Sequence, residues 1–453
     1  MNALFVICGL GVFSLLAEVF NLKRWITIVS VTGLVVALAL VALDWKAISY
    51  RYNGMVYFDH FALAFSGLIL VTSIFWFWMS RGYFTSDEHQ SDKSALVIFV
   101  IIGAVMMVSF NNMAMLFLGL EILSISLYVL AGSNKQSLFS TEAAFKYFLM
   151  GSFATGFLLF GMTLVYGATG SFNLLFIAEF IQGHQILPRF LFIGMLLMMV
   201  GLAFKVSAVP FHMWAPDVYD GAPTPITALM STVVKIGAFG AFVKVFSVAF
   251  VRFDFTLQIF EQIMMVLTLV VANVTAVYQT NVKRMLAYSS VGQIGYLLLA
   301  FSSNATTSKA TIFYYLSGYA VASIMAFTVI QLVENKRGSA NIESFKGLFR
   351  SSPLLAVAMA VAMFSLAGIP PLAGFFGKYL VFTLAISKGI IGLTVIAVIT
   401  SLIGVYYYFK PVIAMSQPSD AEIAVSGSEK VLLSLLILIN LLVGIFPDVI
   451  RLI

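Results

Sequence analysis

Four charged side chains lie inside long apolar runs of this sequence. Glu121 lies in "MLFLGLEILSISLYVLAG" and Lys235 in "LMSTVVKIGAFGAF", while Lys205 and Lys378 lie close to prolines in "AFKVSAVPF" and "IPPLAGFFGK". A charge at the centre of a membrane costs about 2.5–3.5 kcal/mol on insertion scales and by default marks a functional site. A carboxylate and amines in that setting can take up and release protons without a cofactor. The sequence therefore predicts proton-transfer sites at these four positions.

Lys205 lies five residues before Pro210, and this spacing suggests how it could be switched. A proline removes one backbone N–H and displaces a carbonyl, and in lipid the freed groups must face protein or water. Water at the break would hydrate Lys205 and exchange protons with it. Burial disfavours the charged form of a lysine and a nearby carboxylate favours it, so Glu121 would decide whether Lys205 keeps its proton.

Two alternatives give these charged residues a structural role and no part in proton transfer. A lysine near the end of a span can extend its ammonium to the lipid headgroups, and this interpretation suits Lys146 and Lys244. It suits the three central lysines poorly, because each lies many residues from a span end. Glu121 and Lys205 could also form a static buried ion pair.

On the helix face that carries Glu121, two further polar side chains, Ser124 and Tyr128, follow at helical spacing.

The residues that follow Pro210 are more ambiguous. His212 could pass protons near the break, or it could hydrogen-bond a loop, and both alternatives stay open. Asp217 and Asp220 lie in "WAPDVYDGAPTP", a connection rich in proline and glycine. We interpret this connection as a turn and the start of the next span rather than as a proton entry.

The composition specifies the class of protein that must position these groups. The chain has 453 residues, of which 61% are hydrophobic and 10% charged. Soluble domains carry about 25% charge, and apolar runs of about 20 residues can each cross a bilayer. The runs are continuous rather than alternating, which excludes a membrane β-barrel. The sequence therefore predicts an all-α polytopic membrane protein.

The sequence lacks the motifs of several other classes of protein. The one cysteine, Cys8, excludes disulfides, thiolate metal sites and cysteine-held iron–sulfur clusters within this chain, and the four histidines are scattered. Nucleotide-binding loops of the GxGxxG and GxxxxGK[ST] types do not occur. The formal net charge of +6 does not indicate nucleic acid as a partner, because the basic residues lie between spans, where they set topology.

We predict fourteen spans, with limits near 3–21, 25–44, 58–79, 95–110, 112–131, 142–168, 190–216, 224–250, 259–279, 284–303, 309–334, 353–387, 389–412 and 430–450. The run 353–387 is too long for one straight span and contains "GIPP", so we interpret it as one broken helix.

Lysine and arginine in the loops predict the orientation of these spans. The loops after odd-numbered spans hold twelve, namely Lys23, Arg24, Arg81, Lys93, Lys135, Lys283, Arg284, Lys336, Arg337, Lys346, Arg350 and Lys410. The other side holds seven, namely Lys46, Arg51, Arg189, Arg252, Lys309, Lys388 and Arg451. The first side is predicted to be cytoplasmic and both termini periplasmic.

Spans 4–8 and 9–13 form two groups of five, and in each group the fourth span is interrupted by proline. An odd number of spans per group predicts that the second is inverted relative to the first, and proline-interrupted helices at matching positions indicate an ion site. The predicted organisation is a three-helix segment (1–94), a first five-helix unit (95–250), a second, inverted unit (251–412) and a C-terminal helix (413–453). Two unrelated proline kinks are the alternative.

Three motifs carry a resemblance to a known family. "PFHMWAPDVYDGAPTPITALMSTVVKIGAFG", "QTNVKRMLAYSSVGQIGYLLLA" and "LAGIPPLAGFFGKYLVF" resemble the antiporter-like membrane subunits of respiratory complex I, and the similarity covers nearly the whole chain. The resemblance implies fourteen helices, two inverted five-helix units and broken helices 7 and 12. Within the family the N type is the most similar, because of "AAFKYFLMGSFATGFLLFGMTLVYGATGS", the lysine in span 12, and an end after span 14 without a long lateral helix.

The resemblance also implies roles for individual residues. Glu121 matches the glutamate of span 5, Lys205 the lysine of span 7 that pairs with it, Lys235 the central lysine, and Lys378 the lysine at the exit. Some relatives have histidine at position 293. Gln293 cannot titrate, so a relay through span 10 would use water, Tyr296 or serines such as Ser289 and Ser290.

The implied function is proton translocation in the inner membrane of a bacterium, beside the other membrane subunits of complex I. NADH, FMN, the iron–sulfur clusters and quinone would be bound by other subunits, and no cofactor is expected in this chain. A subunit of a stand-alone multisubunit cation/proton antiporter is the first alternative, since such subunits share the motifs. A membrane scaffold without conduction is the second, and it gives no reason for lysines at mid-membrane.

Overall fold

The computed structural model describes residues 2–46, 50–84, 89–250, 254–303, 307–419 and 423–449. It confirms the all-α membrane fold, because thirteen helices of this described part are long and apolar enough to cross a membrane. The predicted span 353–387 is present as two shorter apolar helices, which confirms the broken helix. Arg252 and Arg451, counted above among the loop cations, lie outside the described residues.

The helices, in chain order, are α1 (Asn2–Val19), α2 (Ile26–Asp44), α3 (His60–Met79), α4 (Arg81–Phe84), α5 (Gln90–Ser109), α6 (Met113–Ala131), α7 (Leu138–Thr169), α8 (Leu174–Gly183), α9 (Arg189–Val206), α10 (Trp214–Gly221), α11 (Thr224–Leu229), α12 (Lys235–Val248), α13 (Asp254–Val277), α14 (Val282–Ser302), α15 (Ser308–Arg337), α16 (Leu348–Ser351), α17 (Pro353–Ala367), α18 (Ala373–Ser387), α19 (Ile391–Ser416) and α20 (Gly427–Ile445). A short hairpin pairs β1 (Tyr50–Tyr52) with β2 (Val56–Phe58), with Arg51 opposite Tyr57.

The chain divides into two compact units. The first consists of Met1–Ser207 and Val233–Gln258, and the second of Ala208–Thr232 and Ile259–Ile453. The segment between α9 and α12 therefore packs within the second unit, although both helices belong to the first. The four-segment organisation drawn from the sequence divides the chain by repeat rather than by compactness, and it stays a prediction.

Glycines bring the helices of the first unit into backbone contact. A Cβ atom at Gly103 of α5 would lie 2.5 Å from the carbonyl oxygen of Gly119 in α6. One at Gly161 of α7 would lie 2.6 Å from the carbonyl oxygen of Gly194 in α9. In membranes, small residues at a crossing allow such close packing. The crossings hold α6, which carries Glu121, and α9, which carries Lys205.

The helix that carries Lys205 ends earlier than the predicted span 190–216. It ends at Val206, and Ser207 adopts a left-handed conformation with φ 65°, which stops the helical hydrogen-bond ladder. A turn follows, in which Val209–Pro210 is a cis peptide bond, before α10 begins at Trp214. Lys205 therefore lies in the last turn of α9 rather than inside a continuous helix.

In the second unit, α15 packs against α11, α14, α17, α18 and α20. The break between α17 and α18 begins at Gly368, whose φ of 88° favours glycine. Each half-helix ends with backbone groups that have no partner in its own ladder. These groups are available to side chains at the break.

Two isolated antiparallel β-bridges, each between two asparagines, recur at matching positions of the chain and are called asparagine bridges here. Asn112, the N-cap of α6, pairs with Asn173 after α7, and Asn281, the N-cap of α14, pairs with Asn341 after α15. Each bridge lies within one unit, and the same succession of helices surrounds both. This correspondence supports the two five-helix repeats predicted from the sequence.

Several short elements are absent from the sequence prediction. The hairpin and the helices α4, α8 and α16 are too short to give a strong apolar period. Another is a π-helical turn over Met230–Val234, directly before Lys235. Such wide turns leave part of the backbone ladder displaced and are frequent at functional sites.

Candidate functional site

Glu121 and Lys205 lie near one another in the first unit but not in contact. Lys205 is 2% exposed, and its charge interacts with that of Glu121. Within the described residues, neither Lys205 Nζ nor Glu121 Oε1 has a hydrogen-bond partner. The pairing implied by the resemblance is therefore a longer-range electrostatic one in this structure, and its role as a switch stays a prediction.

Two aromatic rings lie close to the Lys205 ammonium. Nζ lies 5.5 Å from the ring centroid of Tyr128 and 5.3 Å from that of Tyr147. The two rings meet edge to face, with centroids 4.8 Å apart and an angle of 88°. Rings within about 6 Å attract a cation through the negative charge of their faces. Tyr128 appeared in the sequence only as a polar neighbour of Glu121.

Lys235 is 1% exposed and is the first residue of α12 after the π-helical turn. In the first unit, α12 packs against α3, α5, α8 and α9. Gly237, two residues further on, packs against Ala104 of α5, where a Cβ would lie 3.0 Å from the Cα. The side chain of Lys235 is therefore fully enclosed at the widened turn, in agreement with its predicted position in mid-span.

Lys244 is placed differently from the prediction. It was expected to extend towards the headgroups, but it is 5% exposed and its Nζ donates a hydrogen bond of 3.1 Å to the carbonyl of Val108. That carbonyl lies at the C-terminal end of α5, where the partial negative charge of the helix attracts a cation. Lys146 agrees with the prediction, since it is partly exposed and pairs with Glu142 at 2.6 Å.

Lys378 joins the two halves of the broken helix in the second unit. Its Nζ donates to the carbonyl of Ala367, the last residue of α17, at 2.8 Å and to Ser401 Oγ at 2.9 Å. The ammonium also lies 4.9 Å from the ring centroid of Tyr296. A cation at the C-terminal end of a helix satisfies orphan carbonyls and the helix dipole together. This arrangement explains how a lysine can be 5% exposed in an apolar helix.

Gln293 belongs to the same polar network. Its Nε2 donates to the carbonyl of Leu366 at 3.3 Å and to the hydroxyl of Tyr408 at 3.0 Å, and its Oε1 accepts from the hydroxyl of Tyr315. The hydroxyl of Tyr408 in turn shares a hydrogen bond with Ser289. Of the groups named from the sequence for a relay, Ser289 belongs to this network, whereas Tyr315 and Tyr408 were not named, and the relay itself stays a prediction.

A small cavity lies beside this network, lined by Gln293, Tyr315, Gly318, Tyr319, Ser365, Leu366, Gly374 and Lys378. The volume open to the centre of a water molecule is about 10 Å³. That is close to the smallest space that holds one water, and the polar lining supplies its partners. A single water there could exchange a proton with Lys378.

The structure corrects the placement of Lys283, which was predicted as a loop cation. It lies in the first turn of α14 and is 3% exposed. Its Nζ donates to the carbonyl of Ala222 at 2.9 Å and lies 3.6 Å from Glu334 Oε1. Glu334 also accepts from the hydroxyl of Thr224. These contacts tie the start of α11 to α14 and α15.

Asp217 and Asp220 belong to an adjacent set of contacts. Asp217 pairs with Arg284 at 2.8 Å, and Asp220 accepts from the Asn281 amide at 2.9 Å. Burial raises the pKa of the Asp220 carboxyl above its ordinary value, although the charges of Lys283 and Arg284 oppose the rise. These bonds agree with the structural interpretation of the two aspartates.

His212 lies on the turn after Pro210 and is 5% exposed. Its Nδ1 has no hydrogen-bond partner within the described part of the chain. His212 belongs to the second unit and Lys205 to the first. Both alternatives for His212, a proton carrier and a loop contact, stay open.

Sequence reasoning missed several residues of the site and misplaced two. The missed residues are Tyr147, Tyr315, Tyr408, Ser401 and Glu334, and the misplaced ones are Lys244 and Lys283. Their partners are far away in the chain, and the period of a single helix does not reveal them. One signal was present for the tyrosines. Tyr128 and Tyr147 are followed 168 positions later by Tyr296 and Tyr315 (296 − 128 and 315 − 147), the same offset as from Asn173 to Asn341 (341 − 173).

The described residues offer no ligand set for an iron–sulfur cluster or another bound metal ion. Cys8 is exposed on α1, and among the described residues no group of three or more His, Cys, Asp or Glu could hold a metal ion. An iron–sulfur cluster needs several thiolates. The side chains gathered in the two units are instead suited to holding and passing protons.

Comparison with known proteins was made for the sequence and for the fold. Residues 109–404 match the family model described as NADH:quinone oxidoreductase/Mrp antiporter, transmembrane region. NADH-quinone oxidoreductase subunit N of Cytophaga hutchinsonii is 44% identical over 453 residues, which cover 99% of this chain and 98% of that protein.

Two solved structures share the fold. A chain of respiratory complex I from Thermus thermophilus with bound aureothin is 31% identical and has a TM-score of 0.86, covering 99% of this chain and 98% of that one. A chain of the Mrp complex from Dietzia sp. has a TM-score of 0.89 at 18% identity, covering 99% of this chain and 95% of that one. The second likeness shows the fold alone.

Proposed function

Because the chain belongs to the NADH:quinone oxidoreductase/Mrp antiporter family, we propose that it is the N-type proton-translocating membrane subunit of a bacterial NADH-quinone oxidoreductase. The full-length likeness to subunit N of Cytophaga hutchinsonii supports this assignment within the family. The enzyme as a whole oxidises NADH and reduces quinone, and this chain moves protons. Flavin, iron–sulfur clusters and quinone reduction belong to other subunits.

One structural observation carries the proposal. Three of the buried lysines each lie at a discontinuity of a helix: Lys205 in the last turn of α9, Lys235 after the π-helical turn, and Lys378 at the open end of α17. Such points leave backbone carbonyls outside the helical ladder, such as the one that accepts from Lys378, and water can enter there. A proton can therefore be held at each Nζ and still leave.

The roles that we propose are those that the resemblance implies. Lys205, biased by Glu121, accepts a proton in the first unit, Lys235 carries it centrally, and Lys378 releases it from the second unit. His212 is a further candidate carrier near the first break. Burial in a low dielectric makes each of these protonation states sensitive to a change in a neighbouring charge. Quinone reduction elsewhere in the complex would supply such a change.

The family is compatible with a second function. A subunit of a stand-alone cation/proton antiporter would have the same fold, as the likeness to the Mrp complex illustrates. The higher identity to the complex I chain, 31%, favours the oxidoreductase.

Purification distinguishes the two functions. If the chain is a complex I subunit, an affinity tag on it should co-purify hydrophilic iron–sulfur subunits and NADH:quinone reductase activity. Vesicles containing the complex should acidify on addition of NADH and quinone. A tagged chain that brings down only other antiporter-type membrane subunits, and exchanges cations for protons without NADH, would establish the alternative.

We also propose the organisation into 1–94, 95–250, 251–412 and 413–453 within a multi-pass inner-membrane subunit of a hetero-oligomer. The recurring asparagine bridges at 112 and 173 and at 281 and 341 support the two five-helix segments. The periplasmic position of both termini rests on the excess of lysine and arginine in the loops after odd-numbered spans.

Cysteine labelling tests this orientation. Gln136, between α6 and α7, and Gln185, between α8 and α9, are both exposed and lie on opposite predicted sides. In a Cys8→Ser background, Gln136→Cys should react with an impermeant maleimide from the cytoplasmic side only, and Gln185→Cys from the periplasmic side only. The reverse pattern would invert the orientation.

A further inference from the structure

We propose that tyrosine ring faces hold the two outer lysines: Tyr128 and Tyr147 position the Lys205 ammonium, and Tyr296 positions that of Lys378. This inference rests on the proposed function, because it concerns the charged state of lysines that carry protons. The ring faces, and not the hydroxyl groups, stabilise the two ammonium groups in this proposal.

The contacts of Lys205 are the first support. Its Nζ lacks a hydrogen-bond partner among the described residues, yet it lies 5.5 Å and 5.3 Å from the two ring centroids. A buried ammonium without hydrogen bonds is costly, and ring faces supply part of the missing stabilisation. The edge-to-face contact of Tyr128 with Tyr147 fixes the two rings relative to each other.

A glycine in α7 leaves room for the ring of Tyr128. At Gly151, an added Cβ would lie 2.1 Å from the hydroxyl oxygen of Tyr128 and 2.7 Å from its Cζ. Glycine at this position therefore lets the Tyr128 ring lie against α7, where Tyr147 is also located. The close packing at Gly151 fixes the position of the Tyr128 ring, and it does so without a hydrogen bond of the Tyr128 hydroxyl.

The internal repeat is the second and independent support. Tyr296 follows Tyr128 by 168 positions, close to the offsets between the two asparagine bridges, which are 169 from Asn112 to Asn281 and 168 from Asn173 to Asn341 (281 − 112 and 341 − 173). The ammonium of Lys378 lies 4.9 Å from its ring centroid. The lysines themselves differ by 173 (378 − 205) and lie on opposite sides of their helix breaks. The rings of Tyr128 and Tyr296 therefore each lie near an ammonium, although the two lysines do not occupy repeated positions.

The competing idea is that Tyr296 relays protons through its hydroxyl, as the sequence allowed. Phenylalanine separates the two ideas, because it keeps the ring and removes the hydroxyl. Tyr296→Phe and Tyr147→Phe should retain quinone reduction and proton uptake within about twofold in the assembled complex. Tyr296→Leu and Tyr147→Leu should lose roughly tenfold, because leucine has no ring face. Tyr166→Leu, an exposed tyrosine on α7, is the matched control and should be unchanged.

Fluorinated phenylalanines at position 296 provide a second measurement in which the shape is kept. Stepwise fluorination withdraws charge from the ring face, so activity should fall in the same steps. A loss in the phenylalanine variants equal to that in the leucine variants, or no response to fluorination, would overturn the inference. Lys205→Met and Lys378→Met separate it from the proposed function: if they abolish pumping while the leucine variants are silent, only the ring assignment fails. Silent lysine variants would reject the proposed function itself.

Discussion

Replacing Lys235 by methionine is expected to lower NADH-driven quinone reduction and proton pumping together, by at least about tenfold, in a complex that still assembles. Lys235 is 1% exposed at the π-helical turn, and methionine fills a similar apolar volume without a proton-binding group. Replacing a buried charge with an apolar side chain of similar shape is often neutral or stabilising. A loss of activity would therefore report the missing proton site and not a weaker fold.

The measurement compares turnover, proton uptake in vesicles and the yield of assembled complex. Lys146→Met is the matched control, because Lys146 is partly exposed in the same unit and pairs with a nearby surface carboxylate, Glu142. Its turnover should equal that of the unmodified complex. Full pumping by an assembled Lys235→Met complex would remove Lys235 from the proton path.

The second large effect concerns Glu121 and Lys205 as one switch. Glu121→Gln and Lys205→Ala should each lower coupled activity strongly, since each change removes the charge that biases the other group. The double variant should do little further harm, because residues that act as one unit are non-additive. Lys205 Nζ and Glu121 Oε1 lack hydrogen-bond partners among the described residues, so no hydrogen bond of these two atoms is lost.

A double-mutant cycle on quinone reductase rate and proton uptake measures this coupling. Single variants, the double variant and the unmodified complex are compared at equal assembly. If the two losses simply multiply, the residues act independently. The absence of a direct ion pair in the structure would then describe all states of the protein, and the switch would have to be sought elsewhere.

The sequence predicted most of the fold, because membrane spans are defined by local composition. Thirteen spans and the broken helix around "GIPP" needed no knowledge of contacts between helices. The prediction placed Lys205 within a span running to 216, whereas the helix ends at Val206. Proline marks a break, but the preceding residue that leaves the helical conformation, here Ser207, depends on packing.

The site was less predictable, because its partners come from different helices. A lysine in an apolar run is visible in the sequence, but its environment is not. Lys244 and Lys283 looked like cations of span ends and loops, and both are buried on backbone carbonyls. The carbonyl that accepts from Lys378 is eleven residues away across a helix break. Besides the matching proline breaks, the repeat of tyrosines at an offset of 168 carried a long-range signal, and it becomes meaningful once the asparagine bridges are known.

The two hydrogen bonds of Lys378 bear on proton release. Its Nζ donates to the Ala367 carbonyl and to Ser401, while an ammonium has three N–H groups and a neutral amine two. Both bonds can therefore persist after the third proton has left, and the neighbouring atoms need not move. If Lys378 releases a proton as proposed, the step therefore needs an accepting water but no loss of these two hydrogen bonds.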